Sequence, residues 1–393
     1  MHTENKDRIQ FGTKLIHAKT DIGSHYGAVN VPIYQVSTFH QDVEADNRYD
    51  YSRSGNPTRE ALEQTVAQLE GGSAGFAFAS GMAAIASVLC LFKSGDEIIV
   101  SHDSYGGTYR VLTQLFSRFG IKTLFVDTTD LAEIEKAVTP NTKGLYIESP
   151  SNPFLNVTDI KEASAIAKKH GLITIVDNTF MTPYLQQPLA LGADIVIHSA
   201  TKYIGGHSDV VAGVVVTASE ELGKEVKFVQ NAFGAVLGPQ DSWLLLRGIK
   251  TLKVRLEQQQ QTAEKLAQWL KEHPLVEHVY YPGLTDHPHH ELSKKQASGF
   301  GAIISFAVKD EEAAHHFLKT VSLPSVGVSL GGVESILTHP ATMSHASIPK
   351  ETREERGITG SLLRLSVGLE EPEDLQADFA HALESSLISV KTP

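Results

Sequence analysis

Cysteine is nearly absent. Cys90 is the single one in 393 residues, which excludes an internal disulfide or a thiolate metal cage and points to a reducing, cytosolic setting. Basic charge is also in deficit: Lys and Arg number 34 against 46 Asp and Glu, a net charge of −12 with His neutral. A phosphate-neutralising surface for nucleic acid is therefore not expected. Long apolar runs are missing too, since no stretch approaches the ~20 apolar residues of a bilayer-spanning helix. The opening MHTENKDRIQFG has no apolar core of signal-peptide length, and no membrane attachment is expected. What remains is 41% hydrophobic and 20% charged, with 31 Gly and 16 Pro spread along the chain. That is the composition of a globular chain long enough to bury a core, not of a disordered, collagenous or coiled-coil one.

Residues 1–60 are polar and irregular, with turn formers among aromatics at His25-Tyr26-Gly27, Asp46-Asn47-Arg48-Tyr49-Asp50-Tyr51 and Gly55-Asn56-Pro57. This is the texture of an arm that packs on something else. From 61 onward helical patterns alternate with short runs of Val, Ile, Phe and Ala. A helix over 58–70 stops at Gly71-Gly72, and Gly75–Ala79 predicts a strand that breaks into Ser80-Gly81 before an apolar helix. Further strands are expected at 97–101, 123–127, 144–148, 172–177 and 194–198, with helices around 107–118, 130–138 and 159–169. Strand and helix alternating at this spacing predict an α/β architecture, a mainly parallel central sheet with helices on both faces. Val210–Thr217 is one more strand, expected as an edge of mixed direction, and a long helical region over 240–273 leads onward. Strands at 278–281, 302–308 and 363–367 with helices at 311–319 and 372–386 predict a smaller C-terminal α+β domain. The expected division is an arm (1–60), a large domain (61–250) and a C-terminal domain (251–393).

The chemistry collects at strand ends. His198-Ser199-Ala200-Thr201-Lys202 follows an apolar strand and precedes Gly205-Gly206-His207. A lysine there, beside two hydroxyls and a flexible Gly-Gly, can form a Schiff base while the hydroxyls bind a phosphate; a solvated loop lysine is the other reading. Asp177 ends an earlier apolar strand at the same sheet edge. It can keep a pyridinium nitrogen protonated, or serve as a turn or cap aspartate. Both residues end strands of one parallel sheet, where ligands gather. Ser80-Gly81-Met82-Ala83 opens an apolar helix and presents free N–H groups to an anion, as many strand-to-helix turns do. Tyr105, beside Gly106-Gly107-Thr108, can lie on a planar ring or pack within its loop. Arg364, inside the apolar run Leu362–Val367, needs a partner, either a structural salt bridge or a substrate carboxylate.

Taken in order with Tyr51-Ser52-Arg53-Ser54-Gly55-Asn56-Pro57-Thr58 and Ser329-Leu330-Gly331-Gly332-Val333-Glu334-Ser335, these segments resemble the pyridoxal 5′-phosphate enzymes of cysteine and methionine metabolism. The resemblance spans nearly the whole chain. It implies the aspartate aminotransferase-like fold (fold type I) and pyridoxal 5′-phosphate as cofactor. Lys202 is then the Schiff-base lysine and proton shuttle, Asp177 the pyridinium partner and Tyr105 the stacking aromatic. The Gly81 and Met82 amides with the Ser199 and Thr201 hydroxyls would hold the phosphate, and Tyr51 and Arg53 would reach the phosphate of a neighbouring subunit. The expected assembly is a homotetramer, a dimer of dimers. Arg364 would take the substrate α-carboxylate with backbone help near Ser329, and no metal is expected.

Finer positions bear on the reaction. Val328 stands where the family's cystathionine γ-synthases and γ-lyases usually have glutamate, and Gly107 where methionine γ-lyases have cysteine. Val326–Leu330 with Thr338–His345 is most similar to cystathionine β-lyases of low-GC Gram-positive bacteria, without the tryptophan that proteobacterial β-lyases place at Leu330. The resemblance thus implies β-elimination of L-cystathionine to L-homocysteine, pyruvate and ammonia, a step of methionine biosynthesis, with side activity on other cysteine S-conjugates. The alternatives are γ-cleavage or γ-replacement and, from another class, a non-catalytic pyridoxal-phosphate-binding regulator. Two further clusters take bland readings: Asp286-His287-Pro288-His289-His290 as a polar loop rather than a metal site, and Glu370-Glu371 as a solvated helix entry.

Overall fold

Apolar runs of four to seven residues, each stopped by a polar residue or glycine, become the strands of one sheet. The computed structural model describes residues 9–18, 25–346 and 348–389; parts of the expected arm, 1–8 and 19–24, lie outside the described residues. Strands β1 (Ala74–Phe78), β2 (Glu97–Ser101), β3 (Lys122–Val126), β4 (Thr142–Glu148), β5 (Ile173–Asp177), β6 (Ile195–His198) and β7 (Gly213–Thr217) lie in the order β1-β7-β6-β5-β4-β2-β3. All pairings are parallel except those of β7, which runs antiparallel to β1 and to β6. The strand of opposite direction is therefore one in from the edge, not at it. It also begins at Gly213 rather than Val210, because the preceding residue bonds to the loop after β6 instead of to the ladder: Thr201 N–H donates to Ala212 O at 3.2 Å. Side chains alternate between two buried faces. Tyr146 packs with Phe76, Ile175 and Val215, while Leu145 and Ile147 pack with Ile99, Ile134 and Val176 on the other side.

A second sheet holds β8 (Val276–Tyr280), β9 (Ile303–Val308), β10 (Ser325–Val326), β11 (Ile336–Thr338) and β12 (Leu362–Ser366) in the order β10-β11-β12-β9-β8. It is antiparallel apart from the β10–β11 pair. Helices Glu311–Thr320 and Pro372–Ser389 cover it through Phe317 and Phe379, which meet Phe306 of β9 edge-on and tilted. One apolar cluster runs from Val214 and Val216 of β7 through Leu256, Leu266 and Leu270 to Ile304, Phe306 and Leu363, so the two sheets share a core.

Some elements differ from expectation. The region 240–273 is two helices, Pro239–Ile249 and Leu252–Glu272. Arg255, buried, donates to Gly248 O at 2.8 Å and to Tyr203 O at 2.8 Å, tying the break to the loop after Lys202. A Cβ at Gly248 would lie 2.3 Å from Gly205 O, so only glycine allows that approach. The stretch 107–118 is a short helix, Gly106–Arg110, continued by a π turn (Val111–Leu115) and a 3-10 turn (Phe116–Phe119). Helices Glu220–Phe233 and His290–Gln296 were not among the expected elements; the first was legible from its cap, where Ser219 Oγ accepts Leu222 N–H at 3.3 Å. Glu370 is not a solvated helix entry: its carboxylate accepts the Ser335 N–H at 2.7 Å and the Ser335 hydroxyl at 2.8 Å. Among the described residues no helix is long and apolar enough to cross a membrane.

Candidate active site

Parallel strands that end together bring their last residues into line. Glu148 ends β4, Asp177 ends β5 in register beside it, and His198 ends β6. Beyond these ends lies a cavity of about 570 Å³, bounded on the far side by Arg364 of the second sheet and by Val328, Ser329 and Leu330 of the loop between β10 and β11. The chain leaving β6 delivers Lys202 into it, where Nζ donates to Ser329 Oγ at 2.7 Å. Among the described residues no carboxylate pairs with this amine. Burial, helped by the nearby Arg364 charge, lowers its pKa to about 8, so a minor neutral fraction, far larger than for an ordinary lysine, is available as nucleophile or base near neutrality.

Asp177 Oδ1 accepts the Thr179 N–H at 3.0 Å and its hydroxyl at 2.5 Å, and Oδ2 accepts the Tyr146 hydroxyl at 3.2 Å. Burial pushes its pKa up while the Thr179 bonds pull it down. Glu148 is pushed well above the carboxylate range by burial and by Asp177, against one bond from the Tyr105 N–H at 2.7 Å. Adjacent buried carboxylates resist ionising together. Asp177 accepts three hydrogen bonds and Glu148 one, so of the two it is Asp177 whose surroundings favour the anion and Glu148 whose surroundings favour the acid.

Arg364 reaches the cavity from β12, 2% exposed. Its guanidinium donates to Asn152 Oδ1 at 3.0 Å, Ser329 O at 2.9 Å and Thr338 Oγ1 at 3.1 Å, while Nε is buried without a partner. Every acceptor is neutral, and burial lowers the pKa to about 10. Among the described residues no carboxylate touches this buried guanidinium, which is costly, and a carboxylate is the anion that fits its two-pronged face. Ser329 holds φ at 100°, an unfavourable value for a residue with a Cβ. In that conformation its hydroxyl serves Lys202 and its carbonyl serves Arg364, so amine and guanidinium meet on one residue.

The opposite end is built for an anion. Ser80 caps helix Gly81–Leu89, accepting the Ala83 N–H at 3.0 Å, and the Gly81 and Met82 N–H groups at the helix start are left free. A Cβ on Gly81 would lie 2.9 Å from Ser199 Cβ; glycine lets the helix start touch the Ser199 loop. Ser199 N–H donates to Thr179 Oγ1 at 2.9 Å, and its hydroxyl, on the cavity wall, has no hydrogen-bond partner among the described residues. The Thr201 hydroxyl is instead shared with Ala212, donating to its carbonyl at 3.1 Å and accepting its N–H at 3.0 Å. Tyr105 is 39% exposed, and a Cβ at Gly107 would lie 2.4 Å from its ring and 2.8 Å from Met82 Sδ.

All the site residues expected from the sequence line this one cavity except Tyr51 and Arg53. Those two lie outside it: Tyr51 is 46% exposed and the Arg53 guanidinium sits 5.6 Å from its ring centre. Sequence reasoning passed over Glu148, Asn152 and Arg110, which also line the cavity. Glu148 carried the signal used for Asp177, a polar residue ending an apolar strand. Asn152 and Arg110 carried none, because their loop and helix become cavity walls only through tertiary packing. Among the described residues no cluster suited to a metal ion occurs.

Comparison with known proteins places these observations. The sequence profile described as "Cys/Met metabolism PLP-dependent enzyme" matches residues 12–384. The chain is 56% identical over 383 residues to the cystathionine beta-lyase MetC of Bacillus subtilis, covering 96% of this chain and 98% of that one. It is 57% identical over 374 residues to the cystathionine gamma-lyase of the same organism, covering 95% and 99%. A crystal structure of cystathionine gamma-lyase from Lactobacillus plantarum complexed with L-serine superposes with a TM-score of 0.93 at 47% identity, covering 96% of this chain and 99% of that one.

Proposed function

The chain belongs to the family of pyridoxal 5′-phosphate-dependent enzymes of cysteine and methionine metabolism, and on that premise we propose that it is a carbon–sulfur lyase cleaving L-cystathionine by β-elimination. The cavity suits the cofactor: free N–H groups at Gly81 and Met82 with the Ser199 hydroxyl for the phosphate, Asp177 for a protonated ring nitrogen, Tyr105 for the ring face and Lys202 for the aldehyde. Thr201 joins the phosphate set if its hydroxyl turns from Ala212. When bound, pyridoxal phosphate supplies an aldehyde that links to amines and an electron-poor ring that stabilises negative charge on the attached carbon.

The observation that carries the reading is the meeting of Lys202 and Arg364 on Ser329, at 2.7 Å and 2.9 Å. A substrate whose α-carboxylate is held by Arg364 presents its Cα to the Lys202 amine. Lys202 removes the Cα proton, the Cβ–S bond breaks with its electron pair going to sulfur, and the protonated lysine can return that proton to the departing thiolate. One water is consumed overall, giving L-homocysteine, pyruvate and ammonia. Arg110 lines the cavity with no protein partner for its charge among the described residues, and suits the distal carboxylate of cystathionine, which simpler cysteine S-conjugates lack.

A β-lyase and a γ-lyase stand within one percentage point of identity, so the choice of bond rests on the cavity wall. Cleavage at Cγ needs a further deprotonation at Cβ and a pocket arranged for it. Val328, 64% exposed on that wall, offers no acid to hold the distal amine. The arm (1–60) we assign to a neighbouring subunit's site through Tyr51 and Arg53, in a cytosolic homotetramer whose subunits divide further into 61–250 and 251–393. Incubation with pyridoxal phosphate and L-cystathionine tests the reaction: pyruvate with homocysteine is expected. 2-Oxobutyrate with cysteine would make it a γ-lyase, and absence of any keto acid would revive the synthase and the non-catalytic regulator.

A further inference from the structure

Segment 343–346 forms part of the cavity wall: Met343, Ser344 and Ala346 line it, while His345 between them turns inward and is fully buried. His345 Nε2 lies 3.0 Å from Asn152 O, and Nδ1 lies 2.9 Å from Ser344 Oγ. A carbonyl only accepts, so Nε2 carries the proton and Nδ1 accepts from the Ser344 hydroxyl. Asn152 in turn commits its side-chain oxygen to Arg364 at 3.0 Å. Its amide nitrogen has no protein partner among the described residues, and the residue lines the cavity. Asn152 therefore presents a donor beside the Arg364 guanidinium, with its backbone held from behind by an imidazole 193 positions away in the chain.

We propose that His345 is a positioning residue for carboxylate recognition: it fixes Asn152 against Arg364 and locks the 343–346 wall to the loop that carries Asn152. The proposal rests on the reading of Arg364 as the α-carboxylate site. A neutral imidazole suits the task, since a cation there would repel the Arg364 guanidinium. Burial and the charges of Arg364, Arg356 and Arg353 hold its pKa down to about 4, against the opposing bond to Asn152.

The test uses a matched pair of ligands, L-norleucine and pentylamine, which differ only by the α-carboxylate. Their binding to the holoenzyme is measured by calorimetry, alongside the thermal melt of each variant. His345→Leu should cut the preference for norleucine over pentylamine about tenfold, leave pentylamine affinity unchanged, and raise KM more than it lowers kcat. His345→Gln, which keeps a donor able to reach the Asn152 carbonyl, should recover most of the preference. If His345→Leu does not fold, His345→Asn, too short for that reach, replaces it against His345→Gln. An unchanged preference, or equal weakening of both ligands, would reduce His345 to a packing role and overturn the proposal. Arg364→Met separates the two claims: if it leaves the preference intact, the carboxylate reading of Arg364 fails whatever His345 does.

Discussion

Lys202 shows how a reactive residue costs the fold something. Its amine has one neutral partner, Ser329, and a cation, Arg364, nearby. Its pKa is about 8 in the folded chain against an ordinary value of 10.5. Between those values the unfolded chain binds more protons than the folded one, so this residue makes stability rise with pH across that window; below it the full penalty of a buried, poorly partnered charge applies. Lys202→Met keeps the length and removes the charge. Without cofactor, the variant is expected to be more stable than the parent by about 1–3 kcal/mol at pH 7, an advantage that shrinks as pH rises through 8 towards 10.5. Denaturant melts of the two apoproteins measure this. A variant no more stable than the parent would mean that Lys202 finds compensation not visible in its contacts. Turnover should vanish in the same variant, since among the described residues no other lysine lines the cavity.

At the scale of elements, helix Pro57–Glu70 organises the arm as well as the core. Asn56 caps it, accepting the Thr58 N–H at 3.0 Å, and Arg59 in its first turn is buried, donating to Ser52 O at 2.6 Å and Arg53 O at 3.1 Å. Arg59 also pairs with Glu63 at 3.6 Å, whose carboxylate accepts the Ala77 N–H at 2.9 Å. Arg59→Met should therefore both free the 51–54 loop and leave Glu63 buried without its cation. A loss of about 2–4 kcal/mol in urea unfolding is expected, partly restored by adding Glu63→Gln, with faster proteolysis at 51–54. Equal losses in the single and double variants would deny the coupling. Local signals made this helix legible: a cap with proline at its start, glycine at its end and a helical period between. The strand ends at Asp177 and His198 were legible for a similar reason, each closing an apolar run. What lay beyond reading was long-range. Lys202 meets Ser329 across 127 positions and Arg364 meets Asn152 across 212, and periodicity carries no information about such pairings. The break between the helices at 249 and 252 is set by the distant loop at 203–206. Strands β10 and β11, two and three residues long, are too short for an alternation to register.

The whole molecule leaves a polar tip unused. Tyr51 and Arg53 stand outside their own chain's cavity, yet the backbone that carries them is held firmly by Arg59 and by Lys227, which donates to Ser54 O at 2.7 Å. The Arg53 side chain is steadied by Asn231 at 3.3 Å. Such preorganisation of an exposed phenol and cation has little value to a lone chain, whereas an anion at the Gly81 helix start of a second copy would complete it. In the proposed assembly two-fold symmetry would make the exchange reciprocal, each subunit giving one arm and receiving one. Mixing a Tyr51→Ala chain with a Lys202→Ala chain therefore separates sharing from self-sufficiency. Each parent variant has every site defective, one in the arm and the other in the pocket. A mixed pair has one site with a native arm and a native pocket, so equal random mixing should restore about a quarter of wild-type activity. If sites are built from a single chain, every site keeps its own defect, and mixed oligomers verified by mass would show only the parents' residual activity. That outcome would make the tip a surface feature and leave the cavity to gather its phosphate ligands from the Gly81 helix start and the Ser199 loop alone.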